Sequence, residues 1–95
     1  MTLDDVLAHR REILRLAGEH GFDAVTVIGS VARGTASESS DLDLLVNPLP
    51  SAALLSLGAF EACLEELLGV RVTALSVRAL DNDRDRSFLV GAVEL

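Results

Sequence analysis

The stretch "IGSVARGTASESSDLDLLV", residues 28–46, joins two apolar runs through a polar loop and carries two aspartates one position apart. Side chains alternate between the faces of a strand, so Leu42, Leu44 and Val46 share one face while Asp41 and Asp43 share the other. Two carboxylates about 6–7 Å apart along the backbone repel each other, and folding alone does not ask for them. Their hard oxygen atoms suit Mg²⁺, which proteins commonly hold by one or two carboxylates together with substrate phosphates.

Gly29-Ser30 ends the first apolar run and is interpreted as the start of a phosphate-binding turn. A glycine lets the backbone approach a ligand closely, and the N–H groups that follow can form an anion-binding nest. The Ser30 hydroxyl adds a donor, and Arg33 either contacts phosphate or pins the loop through a carboxylate. If the two strands pair antiparallel, the turn faces Asp41 and Asp43, which is the layout for metal-assisted in-line attack at phosphorus.

Other interpretations of these residues fit less well. The spacing from Gly29 to Gly34 matches a P-loop, but Thr35 stands where that motif needs lysine. An EF-hand would need a glycine and a closing glutamate at fixed offsets after the aspartates, and apolar residues occupy that region. A charged edge strand, protected against aggregation, is the structural alternative for the two aspartates.

Length and charge set the frame for any function. Ninety-five residues predict a single domain over residues 1–95. The sequence shows neither a membrane-spanning apolar run nor a signal peptide, so the cytoplasm is the expected location. A net charge of −7 disfavours nucleic acid as a partner. A polyanionic ligand would then need a local device, such as backbone N–H groups or a divalent cation.

The hydrophobic pattern predicts an α/β domain with about three strands in a sheet covered by helices. Strands are predicted over residues 23–28, 42–46 and 70–77. Helices are predicted from residue 3 to 17 with an interruption at Arg10, from a cap at Ser51 to Gly69, and from a cap at Asp81 toward Gly91. The charged run "DNDRDR", residues 81–86, is interpreted as a solvated helix start.

The pattern Gly29-Ser30, ten residues, then Asp41-Leu42-Asp43 resembles the G-S-x10-D-x-D signature of the DNA polymerase β-like nucleotidyltransferase superfamily. The surrounding sequence motifs, G-S-x-A-R-G and S-D-x-D-L, are similar to those of the minimal nucleotidyltransferases, or MNT type. The length and the order of elements also resemble that type over nearly the whole chain. The resemblance implies a small mixed sheet flanked by helices. It also implies that Gly29 and Ser30 hold a triphosphate and that Asp41 and Asp43 are catalytic ligands of two Mg²⁺ ions.

The same resemblance implies a reaction and a partner. Members transfer a nucleoside monophosphate, here expected to be AMP from ATP, to a hydroxyl group with release of pyrophosphate. Minimal members are often antitoxins of helical HEPN-type ribonuclease toxins, and some silence the toxin by adenylylating a tyrosine. This chain has no tyrosine, so a tyrosine acceptor would belong to the partner. Whether the chain forms an oligomer is left open.

One position departs from the family's pattern. The third carboxylate of the family usually lies in the third strand, where "VTALS" places Thr73. Threonine is neutral and is not a useful base, and no Asp or Glu occurs between Gly69 and Leu80. The alternative function is therefore a catalytically weak or silent antitoxin, which binds nucleotide and metal and neutralises its partner by direct contact.

Overall fold

The computed structural model describes residues 1–37, 39–50, 55–81 and 83–95. Its elements in chain order are α1 (Leu3–Ala8), α2 (Arg10–Glu19), β1 (Phe22–Ile28), α3 (Gly29–Arg33), β2 (Leu42–Pro48), α4 (Leu55–Leu68), β3 (Val72–Ser76), α5 (Arg86–Leu89) and β4 (Val93–Glu94). A short 3₁₀ turn, Val77–Ala79, follows β3. The three predicted strands therefore begin and end within two residues of their observed bounds.

The strands form one mixed sheet in the order β3-β2-β1-β4. Strand β1 runs antiparallel to β2 and β4, whereas β2 and β3 are parallel and are connected through α4. The predicted α/β class with a mixed sheet and flanking helices is confirmed, but the sheet has four strands rather than about three. The fourth strand, β4, contributes only two residues, which is too short to produce an alternating pattern.

One face of the sheet carries the hydrophobic core. The predicted alternation in β2 is observed, because Leu42, Leu44 and Val46 are fully buried. Helices α2 and α4 cover this face with further buried side chains, notably Ile13, Ala17, Phe60 and Leu64. The opposite face therefore carries the alternate residues of β2 and β3, including Asp43 and Thr73.

Helix ends differ from the sequence prediction in two places. The first helix is split into α1 and α2 at His9, one residue before the predicted interruption. The last helix begins after Asp85 rather than after Asp81, because the Asp81 carboxylate accepts hydrogen bonds from the N–H groups of Asp83 and Arg84 and closes a turn there. The predicted cap at Ser51 lies outside the described residues. Within the described ranges, no helix is both long and apolar enough to cross a membrane.

The outer edge of β3 is covered by glutamates of α4. The Glu65 carboxylate accepts a hydrogen bond from the Val72 N–H at 3.0 Å, and the Glu61 carboxylate accepts one from the Ala74 N–H at 2.7 Å. These N–H groups point away from β2 and would otherwise need water or another strand. The glutamates therefore fix the position of β3 against α4. They thereby also fix the position of Thr73 on the sheet face opposite the core, called the open face below.

Replacing Glu61 with alanine should lower the free energy of unfolding by about 1–2 kcal/mol, because a partly buried N–H loses a charged acceptor. Glu66→Ala removes an exposed carboxylate from the same helix and should change it by less than about 0.5 kcal/mol. Urea denaturation of both variants measures the difference. Equal effects of the two substitutions would show that the edge contacts do not stabilise β3.

Candidate active site

The strand register brings the predicted site residues together at one end of the sheet. Ile28, the last residue of β1, lies opposite Asp43 of β2. Asp43 in turn lies beside Thr73 in the parallel pairing of β2 with β3. The turn that begins at Gly29 is therefore next to the Asp43 side chain, as expected from antiparallel pairing of the two apolar runs.

Gly29 is in contact with the Asp43 carboxylate. A Cβ atom added to Gly29 would lie 2.7 Å from Asp43 Oδ2, and the glycine has a φ of +73°. Both the close approach and the left-handed backbone exclude larger residues. Ser30 follows as the second residue of α3 and is partly buried. The start of the Gly-Ser turn and the side chain of Asp43 thus lie side by side.

The two aspartates lie in different environments. Asp41 is exposed just before β2, whereas Asp43 is half-buried within it. Partial burial, and after it the negative charge of Asp41, raises the pKa of the Asp43 carboxyl above its ordinary value, while the positive charge of Arg33 opposes the shift. A cation between the two carboxylates would remove this repulsion.

Arg33 connects the site to the C-terminal part of the chain. Its Nη1 donates a hydrogen bond of 3.0 Å to the carbonyl oxygen of Ser87, and its side chain packs close to the backbone of Gly91. Of the two roles predicted for Arg33, pinning of the loop is thus seen in the structure, although the acceptor is a main-chain carbonyl rather than a carboxylate. Contact with phosphate stays a prediction.

A pocket of about 130 Å³ opens beside Asp43 on the face away from the core. It is lined by Ile28, Asp43, Leu44, Thr73, Leu75 and Asp85. Most of this surface is aliphatic, and the ionisable groups in the lining are the two carboxylates. A small, largely apolar group that carries a polar end would suit such a pocket.

Asp85 is a pocket residue that the sequence analysis missed. It is buried, and Arg84 donates to it from Nε to Oδ1 at 3.1 Å and from Nη2 to Oδ2 at 2.8 Å, while the Asp81 N–H donates to Oδ2 at 3.0 Å. The bonds from Arg84 and then from Asp81 lower the pKa of the Asp85 carboxyl, so the group stays ionised. Nothing in the run "DNDRDR" distinguishes this aspartate from its exposed neighbours.

The donor atoms fit magnesium better than a closed protein metal site. In the part of the chain that the structure describes, no group of three or more His, Cys, Asp or Glu side chains is arranged to hold a metal ion. Asp41 and Asp43 offer two hard carboxylates beside a turn that can take phosphate. Mg²⁺ is commonly held in this way, since it retains water and shares ligands with substrate phosphates.

Known proteins resemble this chain in sequence and in fold. The family model of the nucleotidyltransferase domain matches residues 9–92. A protein adenylyltransferase, MntA, from Thermococcus cleftensis is 38% identical over an alignment of 76 residues, and the match covers 76% of this chain and 74% of that protein.

Solved structures share the fold. One that carries the provisional name of minimal nucleotidyltransferase is 43% identical, covers 100% of this chain and 97% of its own, and superposes with a TM-score of 0.85. A second is the MNT antitoxin of Shewanella oneidensis in complex with a tri-AMPylated HEPN toxin. It is 12% identical, covers 93% of this chain and 69% of its own, and has a TM-score of 0.68, which is a likeness of fold alone.

Gly29→Ala should destabilise the protein by about 2–4 kcal/mol, because the new methyl group combines an unfavourable backbone conformation with a clash against Asp43. Gly34 is the matched control, since its φ is +77° and nothing lies within 4 Å of an added Cβ. Gly34→Ala should cost about 1–2 kcal/mol. Denaturant unfolding compares the two, and adding Asp43→Ala to Gly29→Ala should recover the excess. Equal costs would contradict the contact.

Asp43→Asn should raise the melting temperature at pH 7 by about 2–5 °C, because it removes a partly desolvated charge beside Asp41. The folded state holds the pKa of Asp43 above its unfolded value, so the wild type loses stability relative to the variant as pH rises through that range. Below the ordinary aspartate pKa of about 3.9 the difference should vanish. Melting curves from about pH 3 to pH 8, without divalent cations, measure it. A difference that is independent of pH would contradict the shift.

Proposed function

The chain belongs to the nucleotidyltransferase domain family, and we propose that it transfers AMP from ATP to a hydroxyl group of a partner protein in the cytoplasm. The observation that carries the proposal is the contact between the Gly29-Ser30 turn and the side chain of Asp43. It supports the proposal because the N–H groups and hydroxyl of this turn could bind a triphosphate beside Asp43, one of the two acids. Phosphoryl chemistry needs this combination, because the developing charge must be held on both sides of the reacting phosphorus.

Each site residue has its own role in this proposal. Gly29 lets the triphosphate approach the backbone, and the N–H groups and hydroxyl at Ser30 donate hydrogen bonds to its oxygen atoms. Asp41 and Asp43 would hold Mg²⁺, two ions with nucleotide bound, which supplies positive charge to the phosphates and to the attacking oxygen. The acceptor oxygen bonds to the α-phosphorus, the bond from that phosphorus to the bridging oxygen breaks, and pyrophosphate leaves.

The proposed partner is a HEPN-type toxin, which makes this chain an antitoxin. Two findings support this partner. A relative is named a protein adenylyltransferase, and a structural neighbour is an MNT antitoxin bound to an AMPylated HEPN toxin. The net charge of −7 disfavours a nucleic acid acceptor. The absence of tyrosine from the sequence means that a tyrosine acceptor belongs to the partner.

A second candidate is an antitoxin that neutralises its partner by contact, with little or no transfer. The observation in its favour is Thr73, which is exposed and neutral beside Asp43. A carboxylate at this position could have joined Asp41 and Asp43 around a cation. The described residues contain no such group of three acids.

Transfer can be tested with ATP labelled at the α-phosphate, Mg²⁺ and the protein encoded by the neighbouring gene. We expect label on that protein, and a loss of about 100-fold or more in Asp41→Asn with Asp43→Asn, because the cation loses its ligands. Asp4→Asn, an exposed change in α1, should leave transfer intact. Absence of label from the wild type with all four nucleoside triphosphates would overturn the proposal.

The same double variant separates the two candidates in cells that express the toxin. If transfer protects the cells, the variant fails to protect them although it folds and still binds the toxin. Full protection by the variant would assign neutralisation to contact instead. Thr73→Asp should raise transfer if the missing carboxylate limits it.

A further inference from the structure

The pocket beside Asp43 runs from Ile28, next to the Gly29-Ser30 turn, across to β3. Asp43 lies on the second strand of the sheet, with Gly29 on the β1 side and Thr73 on the β3 side. The pocket reaches from Asp43 over Thr73 and Leu75 of β3. In-line displacement requires the attacking and leaving oxygens on opposite sides of the phosphorus. With the leaving pyrophosphate at Gly29, on the β1 side of Asp43, an attacking group held over Thr73 and Leu75 lies on the opposite side.

The size and lining of the pocket suit a small group with one hydroxyl. A volume of about 130 Å³ is close to that of a cavity that holds one aromatic ring. The walls are mainly aliphatic side chains, so a hydroxyl inside needs a specific partner to accept its proton in a hydrogen bond. Asp43 is already used by the cation under the proposed function. Asp85 is the other carboxylate in the lining.

Asp85 is held in place by its described neighbours. From residues 55–81 and 83–95, Oδ2 accepts two hydrogen bonds, from Arg84 Nη2 and from the Asp81 N–H, whereas Oδ1 accepts one, from Arg84 Nε. Each carboxylate oxygen can accept about two. The Arg84 fork fixes the plane of the carboxylate, so the remaining site on Oδ1 has a defined direction.

We propose that Asp85 accepts a hydrogen bond from the acceptor hydroxyl in this pocket and so orients its oxygen toward the α-phosphorus. The inference rests on the proposed function. In the transfer step the hydroxyl O–H bond breaks and its proton passes to water, the new O–P bond forms, and the bridging O–P bond breaks with its electron pair going to pyrophosphate. Asp85 binds the acceptor and is distinct from the cation ligands.

Asp85→Asn should lower kcat/KM for the acceptor protein by about 10-fold or more, because an amide is a weaker acceptor than a carboxylate. Binding of Mg²⁺ with a non-hydrolysable ATP analogue, measured by calorimetry, should be unchanged. Asp83→Asn is the matched control. It removes the same charge two residues before Asp85, and the Asp83 side chain is 97% exposed. It should stay within about 2-fold of wild type. Equal effects of the two variants would overturn the inference.

Two further variants separate acceptor binding from a purely structural role. Arg84→Gln breaks the ion pair but keeps the carboxylate, so it should lose less activity than Asp85→Asn. Thr73→Asp supplies another carboxylate in the lining of the pocket, so it should raise the activity of Asp85→Asn by a larger factor than it raises that of the wild type. If Arg84→Gln matches Asp85→Asn and Thr73→Asp gives no such excess, Asp85 only anchors the segment.

A probe that needs no transfer keeps the inference independent of the proposed function. We expect phenol to shift the methyl NMR signals of Ile28 and Leu75, with an affinity several-fold weaker in Asp85→Asn than in Asp83→Asn. Toluene, which has no hydroxyl group, should bind both variants equally. Equal phenol affinity of Asp85→Asn and Asp83→Asn, together with normal AMP transfer by the wild type, would overturn this inference alone. Weaker phenol binding by Asp85→Asn, together with no AMP transfer by the wild type, would overturn the proposed function alone.

Discussion

The contact between Gly29 and the Asp43 carboxylate is the constraint on which the rest of the site depends. It exists because Ile28 pairs with Asp43 in the antiparallel ladder of β1 and β2. Since side chains alternate along a strand, a shift of one residue would move Asp43 into the core and its aliphatic neighbours to the open face. The burial of Leu42, Leu44 and Val46 excludes that shift. The packing of the core therefore also fixes the position of Asp43 beside Gly29.

The site places charges where folding alone would not. Asp43 is partly desolvated beside Asp41, and its raised pKa is the mark of that cost. A domain of this size has a small net stability, so such a site must be offset by packing elsewhere. The helices on the core face and the glutamates along β3 provide contacts of this kind.

What could be predicted from the sequence follows from local pattern. The period of β2, the glycine at the start of α3 and the spacing to Asp41 predicted that the turn faces the aspartates if the two strands pair antiparallel, and the strands do pair in this way. Strand β4 was missed because two residues show no period, and its place depends on pairing with Thr26 and Val27. The late start of α5 was missed because Asp81 caps a turn rather than a helix. Asp85 was missed because its burial depends on the fold around the pocket.

The arginines around the pocket explain why the proposed chemistry needs a cation from solution. Arg33 donates to the Ser87 carbonyl, and Arg84 donates to Asp85 and to the Ala79 carbonyl. The Arg33 bond ties the last part of the chain to α3 and the Arg84 bonds fix that part internally, so breaking them to reach a triphosphate would loosen the segment that carries Asp85. In a chain of net charge −7, positive charge for the phosphates is then most readily supplied by a divalent ion on Asp41 and Asp43. The bonds from Arg84 also keep the Asp85 carboxylate ionised and fixed in direction. A carboxylate in this state can accept a hydrogen bond from a hydroxyl group.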